Sequence, residues 1–207
     1  ALEWLQAEKS IQMPDHLCAP QEGTGVEQPG AVTEERQWVA MAGGAYAMGE
    51  RPDEGRTVNI DAFEILKTEV TVGQYRYCMQ AGRCDEPKRG PSCTVGDQGV
   101  ERPINCVSWQ QARDFCHFAG GELPSESQWE YAARSEGTRP YPWGDAPPSC
   151  DRVVMNEMGQ DACGEADVQA VCSRPMGNTA QGLCDMLGNL WEWTLDDYQE
   201  SYALIPE

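Results

Sequence analysis

Hydrophobic and polar positions divide the chain into a featureless start and a patterned remainder. Residues 1–36 are polar and rich in Gly, Pro and Glu, as in "APQEGTGVEQPGAVTEER", and show no periodicity. They read as an extended arm or linker, with a short helix through Leu2, Trp4 and Leu5 at its beginning. Residues 37–207 read as one domain. It opens with "WVAMAGGAYAMGE", where two apolar runs flank Gly43-Gly44 and predict a hairpin. "TVNIDAFEILKTEVTV" follows with the β-branched and aromatic alternation of strands.

The period then changes. In "TVGQYRYCMQAG", Thr71 is placed to cap a helix, Val72, Tyr75 and Met79 share a face, and Gly82 can end it. Residues 83–105 read as loop. "SWQQARDFCHFAGG" is the clearest helix, with Ser108 as cap, Ala112, Phe115, Cys116 and Ala119 on one face, and Gly120 as stop. In "LPSESQWEYAARS", Ser125 and Gln128 have capping-box spacing, and Trp129, Ala132 and Ala133 form the stripe to be buried. Residues 140–181 are irregular. So long a structureless run in a compact domain calls for covalent staples or a bound metal.

Composition narrows the partners. Thirty-four Asp and Glu against 15 Lys and Arg leave a net charge of -19, which repels nucleic acid and anionic lipid. No apolar run approaches the ~20 residues that a membrane-spanning helix needs. The first residues, "ALEWLQAEKS", lack the basic start and apolar stretch of a signal peptide. Ten cysteines, none in a C-x-x-C pair, and only two histidines, His16 and His117, argue for disulfides rather than zinc. That places the chain in an oxidising setting: secreted, periplasmic or on the cell surface. The pairing stays open, although Cys78 and Cys84 are close enough to bridge around "MQAGR".

Candidate chemistry lies near the end. If "NLWEWTL" is extended, Trp191, Trp193 and Leu195 share one face and Leu190, Glu192 and Thr194 the other. Glu192 is then a carboxylate among bulky aromatic groups. It must protonate, pair with Arg or Lys, bind a cation, or accept backbone N–H groups. Asp185, Asp196 and Asp197 add negative charge nearby. That favours a hard cation with oxygen ligands, as Ca²⁺ is. No G-x-S-x-G, Walker loop, G-x-G-x-x-G or H-E-x-x-H occurs. Cys116 and His117 are neighbours on a helix and point roughly 100° apart, so they do not form a catalytic pair. The tryptophans read as core, with a sugar-binding aromatic surface as the alternative.

The succession "VAMAGGAYAMGE", "KTEVTVGQY", "RPINCVSWQQARDFCHFAGG", "ELPSESQWEYAARS", "YPWGD" and "GLCDMLGNLWEWTLDDY" resembles the formylglycine-generating enzyme, or sulfatase-modifying factor, domain over residues 38–198. The resemblance implies a C-type-lectin-like α+β fold with little regular structure, a small antiparallel sheet and structural Ca²⁺ sites. One such site would take backbone oxygens of Leu187, Gly188 and Leu190 and the side chain of Glu192. Asp151 matches a second site best. The family's oxidases hold copper between two cysteines in a segment beyond the Trp-Glu-Trp motif, which this sequence does not reach. Copper is therefore not expected in this chain, and no catalytic residue carries over. Glu122 stands where the family usually has a basic residue.

Three functions remain open at this point. The first is a non-catalytic, exported binding or assembly module. The second is the N-terminal part of a copper-dependent oxidase completed by another segment or chain. The third is a lectin-like binder of peptide or glycan. In the first two, a protein partner or oligomer completes the sheet.

Overall fold

The computed structural model describes residues 18–20, 37–49, 56–96, 99–155, 163 and 168–197. The helix expected near the start, most of the arm and the stretch after Asp197 lie outside the described residues. Six strands and three helices are present among them: β1 (Ala19–Pro20), β2 (Trp38–Met41), β3 (Gly44–Met48), β4 (Arg56–Ile60), β5 (Phe63–Leu66), α1 (Val72–Gln80), α2 (Trp109–Ala119), β6 (Gly121–Glu122) and α3 (Glu126–Ala133).

The strands form antiparallel pairs, β2 with β5 and β3 with β4. Met41 faces Phe63 and Gly44 faces Ile60, so both pairs keep a single register. They are two halves of one ribbon, interrupted at Ala42-Gly43 and Asp61-Ala62. The hairpin expected at Gly43-Gly44 is not formed, because β2 and β3 run on in line and pair with later strands. Two contacts explain the interruption. The Ala42 N–H donates to Glu136 Oε1 at 3.1 Å, and the Tyr131 hydroxyl donates to Ala42 O at 2.5 Å. Side chains thus satisfy the backbone groups that the ladder leaves. Gly43 is required there, since a Cβ would lie 2.8 Å from Ala62 N and Ile60 O.

The helices start where their caps predict. Thr71, Ser108 and Ser125 each accept a backbone N–H three residues on and form a reciprocal capping box with Gln74, Gln111 and Gln128. Gly120 closes α2 in left-handed backbone at φ 92°. On α1 the buried residues are Val72, Tyr75 and Cys78 rather than Met79. On α3 they are Tyr131, Ala132 and Ala133. Trp129 is half-buried and turned toward the site described below. Tyr75 stacks on Phe115 at 5.8 Å, joining α1 to α2, and Tyr46 meets Tyr131 edge-on at 5.3 Å, joining β3 to α3.

Five disulfides join Cys18 to Cys116, Cys78 to Cys84, Cys93 to Cys106, Cys150 to Cys163 and Cys172 to Cys184. The short bridge suggested by "MQAGR" is among them. Within the stretch read as an arm, Cys18 is buried and β1 pairs with β6, so Cys18–Pro20 is docked on the domain. No helix among the described residues is long and apolar enough to cross a membrane.

Candidate metal centre

Residues 184–196 form a loop and a strap. The loop begins where the Cys184 N–H donates to Lys67 O at 2.9 Å, beside the end of β5. Asp185, Gly188 and Asn189 then take left-handed backbone, with φ of 55°, 86° and 58°, and coil the chain back on itself. Asp and Asn tolerate this better than other side chains do. Gly188 has no substitute, because a Cβ would lie 2.2 Å from Val154 O and 2.3 Å from Val153 Cγ2. Asn189 fastens the coil to three other segments. Its N–H donates to Val154 O at 2.9 Å, its Oδ1 accepts the Gln169 N–H at 3.0 Å, and its Nδ2 donates to Glu69 Oε2 at 3.0 Å. Leu187 and Leu190, the other expected backbone ligands, are half-buried in this coil.

Beyond it the chain runs as a strap over the N-terminal ends of α2 and α3. Glu192 Oε2 accepts the Trp129 Nε1–H at 2.8 Å. Trp109 Nε1 donates to Thr194 O at 2.8 Å, and Trp193 Nε1 donates to Val107 O at 3.3 Å. The Leu195 N–H donates to Pro124 O at 2.9 Å, and Asp196 Oδ2 accepts the Glu126 N–H at 2.6 Å. These bonds, not strand alternation, set which way the side chains turn. Trp193 packs against the core as expected, whereas Trp191 is 51% exposed and Leu195 41% exposed.

The electrostatics of the loop are one-sided. Burial pushes the Glu192 carboxyl up to about 8, and the charge of Asp185 adds to this, against the opposing Trp129 N–H. Asp185 is also raised by burial, against the Cys172 N–H and Arg174, which favour its ionised form. Among the described residues no Lys or Arg forms an ion pair with Glu192. Two carboxyl groups are thus partly withdrawn from water in one loop, and the charge of Asp185 works against ionisation of Glu192. A cation between them would relieve both. Carboxylate and backbone oxygens are hard donors of the kind Ca²⁺ takes, and no trio of His, Cys, Asp or Glu side chains gathers among the described residues, so backbone would supply the remaining ligands. The residues present fit Ca²⁺. Asp185 would add a second side-chain oxygen to the expected set. Its signal in the sequence is a carboxylate seven residues ahead of Glu192, within the same Gly-Asn turn segment.

The other expected residues lie elsewhere. Asp151 is exposed on a turn held by Arg152 N–H and Val153 N–H donating to Ser149 O at 2.9 and 3.1 Å. Val153 and Val154 of that segment reach Gly188 and Asn189; no described contact brings Asp151 to them. Glu122 is a structural ion. Burial acts to raise its pKa, but Arg113, His117 and the Leu123 N–H outweigh burial and hold it at about 2. His117 thus serves Glu122, and its neighbour Cys116 is bonded to Cys18.

The chain is similar to known proteins. The sequence matches the sulfatase-modifying factor enzyme 1-like domain family over residues 24–205. It is 30% identical over 187 residues to a hercynine oxygenase of Mycolicibacterium thermoresistibile, covering 75% of this chain and 40% of that protein. It is 35% identical over 116 residues to the inactive C-alpha-formylglycine-generating enzyme 2 of Bos taurus, covering 53% of this chain and 38% of that protein. With the formylglycine-generating enzyme of Streptomyces coelicolor, identity is 35% over 247 residues, covering 90% of this chain and 77% of the enzyme. The chain thus spans well under half of the first two relatives. The crystal structure of CarF superposes with a TM-score of 0.56 at 18% identity, over 79% of this chain and 81% of CarF, which bears on the fold alone. With the family matched across nearly its whole length and a relative covered over three quarters of its own, this chain belongs to the sulfatase-modifying factor enzyme 1-like, or formylglycine-generating enzyme-like, domain family.

Proposed function

We propose that the chain is an exported, non-catalytic binding or assembly module on this α+β domain, rigidified by disulfides and by a structural Ca²⁺. The observation that carries the first part is the state of the cysteines. All ten are paired, so the chain offers no thiolate pair to hold copper in the manner of the family's oxidases. Five bridges also suit an oxidising compartment. One relative bears the name of an inactive enzyme, which supports a non-catalytic reading here. The exposed Trp191 and Leu195 supply apolar surface for a partner. The experiment is direct. Thiol titration of the denatured, unreduced protein should give no free thiol. Copper should not be retained after dialysis, and a cysteine-containing sulfatase peptide should be returned unchanged. Two titratable thiols, or one retained copper per chain with loss of the peptide thiol, would overturn the reading in favour of an oxidase. That second reading draws support from the 77% coverage of the Streptomyces enzyme.

The Ca²⁺ would be held by the side chains of Glu192 and Asp185 and by backbone oxygens of Leu187, Gly188 and Leu190. Bound there, it neutralises two carboxylates and locks the coil against the strap. Asp151 is left out of this set because it is exposed and apart from the loop. Melting temperature should rise with millimolar Ca²⁺ and fall with chelator, and Glu192→Ala should abolish the difference. Equal melting in Ca²⁺ and chelator would return Glu192 to a purely structural role.

A further inference from the structure

The coil that carries the two carboxylates starts at a disulfide. Cys184, directly before Asp185, is bonded to Cys172, with Cα atoms 5.1 Å apart. The bridge brings the partner strand of chain onto Asp185 itself: the Cys172 N–H donates to Asp185 Oδ2 at 2.6 Å. Arg174, two residues on, adds its positive charge in favour of the ionised Asp185. The stretch Cys172–Arg174 thus supplies the groups that stabilise one of the two side-chain ligands.

Both ends of the bridge are anchored. Cys184 is buried and its N–H is held by Lys67 O at 2.9 Å, while Val171, beside Cys172, donates to Glu101 O at 3.0 Å. Cys172 and Asp185 are each held in left-handed backbone, at φ 58° and 55°. Residues other than glycine stay in that region only where the surroundings over-determine them.

The reason to fix Asp185 so firmly lies in its neighbour. Asp185 is half-buried and its charge opposes ionisation of Glu192, so without a cation its carboxylate would be better solvated if it swung into water. A ligand that has swung away must be re-ordered when a cation binds, at a cost in affinity; a ligand held in place avoids that cost. We propose that the Cys172–Cys184 disulfide, acting through the Cys172 N–H on Asp185, is a positioning device that sets the Ca²⁺ affinity of the 185–192 coil. The proposal rests on the calcium reading above. The bridge itself touches no cation; it acts through Asp185.

The test uses the intact chain and three proteins: wild type, Cys172→Ala/Cys184→Ala, and Cys78→Ala/Cys84→Ala as a control whose bridge closes a short loop at the end of α1. Ca²⁺ affinity is read by displacement of Tb³⁺, whose luminescence nearby tryptophans sensitise, and stability is read separately from melting in chelator. Removal of Cys172–Cys184 should weaken Ca²⁺ affinity at least tenfold. Removal of Cys78–Cys84 should lower the melting temperature and leave the affinity within twofold of wild type. If the first variant unfolds without Ca²⁺, its affinity is taken from the refolding titration after correction for the folded fraction measured in chelator. An unchanged affinity in that variant, or an equal loss in the control, overturns the proposal while leaving the calcium site in place. A wild-type protein that binds neither Tb³⁺ nor Ca²⁺ overturns the calcium reading and this proposal with it.

Discussion

Glu192 is the residue on which the site turns, and its chemistry follows from where the strap puts it. Its side chain is half-buried and partly desolvated, receives one indole N–H, and feels the charge of Asp185. A folded-state pKa of about 8 lies above the ordinary 4.5. The folded protein therefore holds this proton more tightly than the unfolded chain does. Without cation, the stability that Glu192 contributes is complete below pH 4.5 and is lost as pH climbs toward 8. Ca²⁺ competes with the same proton, so its affinity should increase with pH across that window. Measured in chelator, melting temperature should fall from pH 5 to pH 8, and Glu192→Gln should flatten the slope. A wild-type profile as flat as that of the variant would show that the carboxyl ionises normally.

At the scale of elements, the helices were the most legible part of the sequence. A capping box needs only residues three apart, so Ser108 with Gln111 and Ser125 with Gln128 could be recognised without knowing what surrounds them. The strands were half legible. Their alternation was plain, but the turn expected at Gly43-Gly44 gave way to a ribbon whose gap is filled by Tyr131 and Glu136, side chains 89 and 94 residues from Ala42. α3 links this level to the site, since it presents Trp129 to Glu192 and its first N–H to Asp196. Ser125→Ala removes the cap bond and should cost about 1 kcal/mol, read as a lower urea midpoint at unchanged slope. Gln128→Ala, which keeps the serine, should cost less; the reverse order would mean that the serine cap is not the main support of this helix end.

For the molecule as a whole, the disulfides do what a larger core would otherwise do. Cys18–Cys116 closes 98 residues, and Cys78–Cys84 closes six. Loop-closure entropy then assigns about 4.7 kcal/mol to the first and about 2 kcal/mol to the second. Guanidinium unfolding of the two paired-alanine variants should rank them in that order. A larger loss from Cys78/Cys84 would mean that native strain or residual unfolded structure outweighs chain entropy.

The sequence alone determined what depends on near neighbours: the helix starts, the family and its α+β class, and Glu192 as the carboxylate of interest; the Cys78–Cys84 bridge it only allowed. Each is fixed by residues within a few positions of one another or by an ordered set of short motifs. Only the tertiary structure decided the long disulfides, the pairing of β2 with β5, the exposure of Trp191 and the electrostatic effect of Asp185 on Glu192. Those depend on which distant segments exclude water from each other. Asp185 shows the difference most clearly. In the sequence it is one acid among 34. In the fold a disulfide, a left-handed turn and a borrowed N–H hold it where its charge acts on a second acid, and that placement gives it a candidate function.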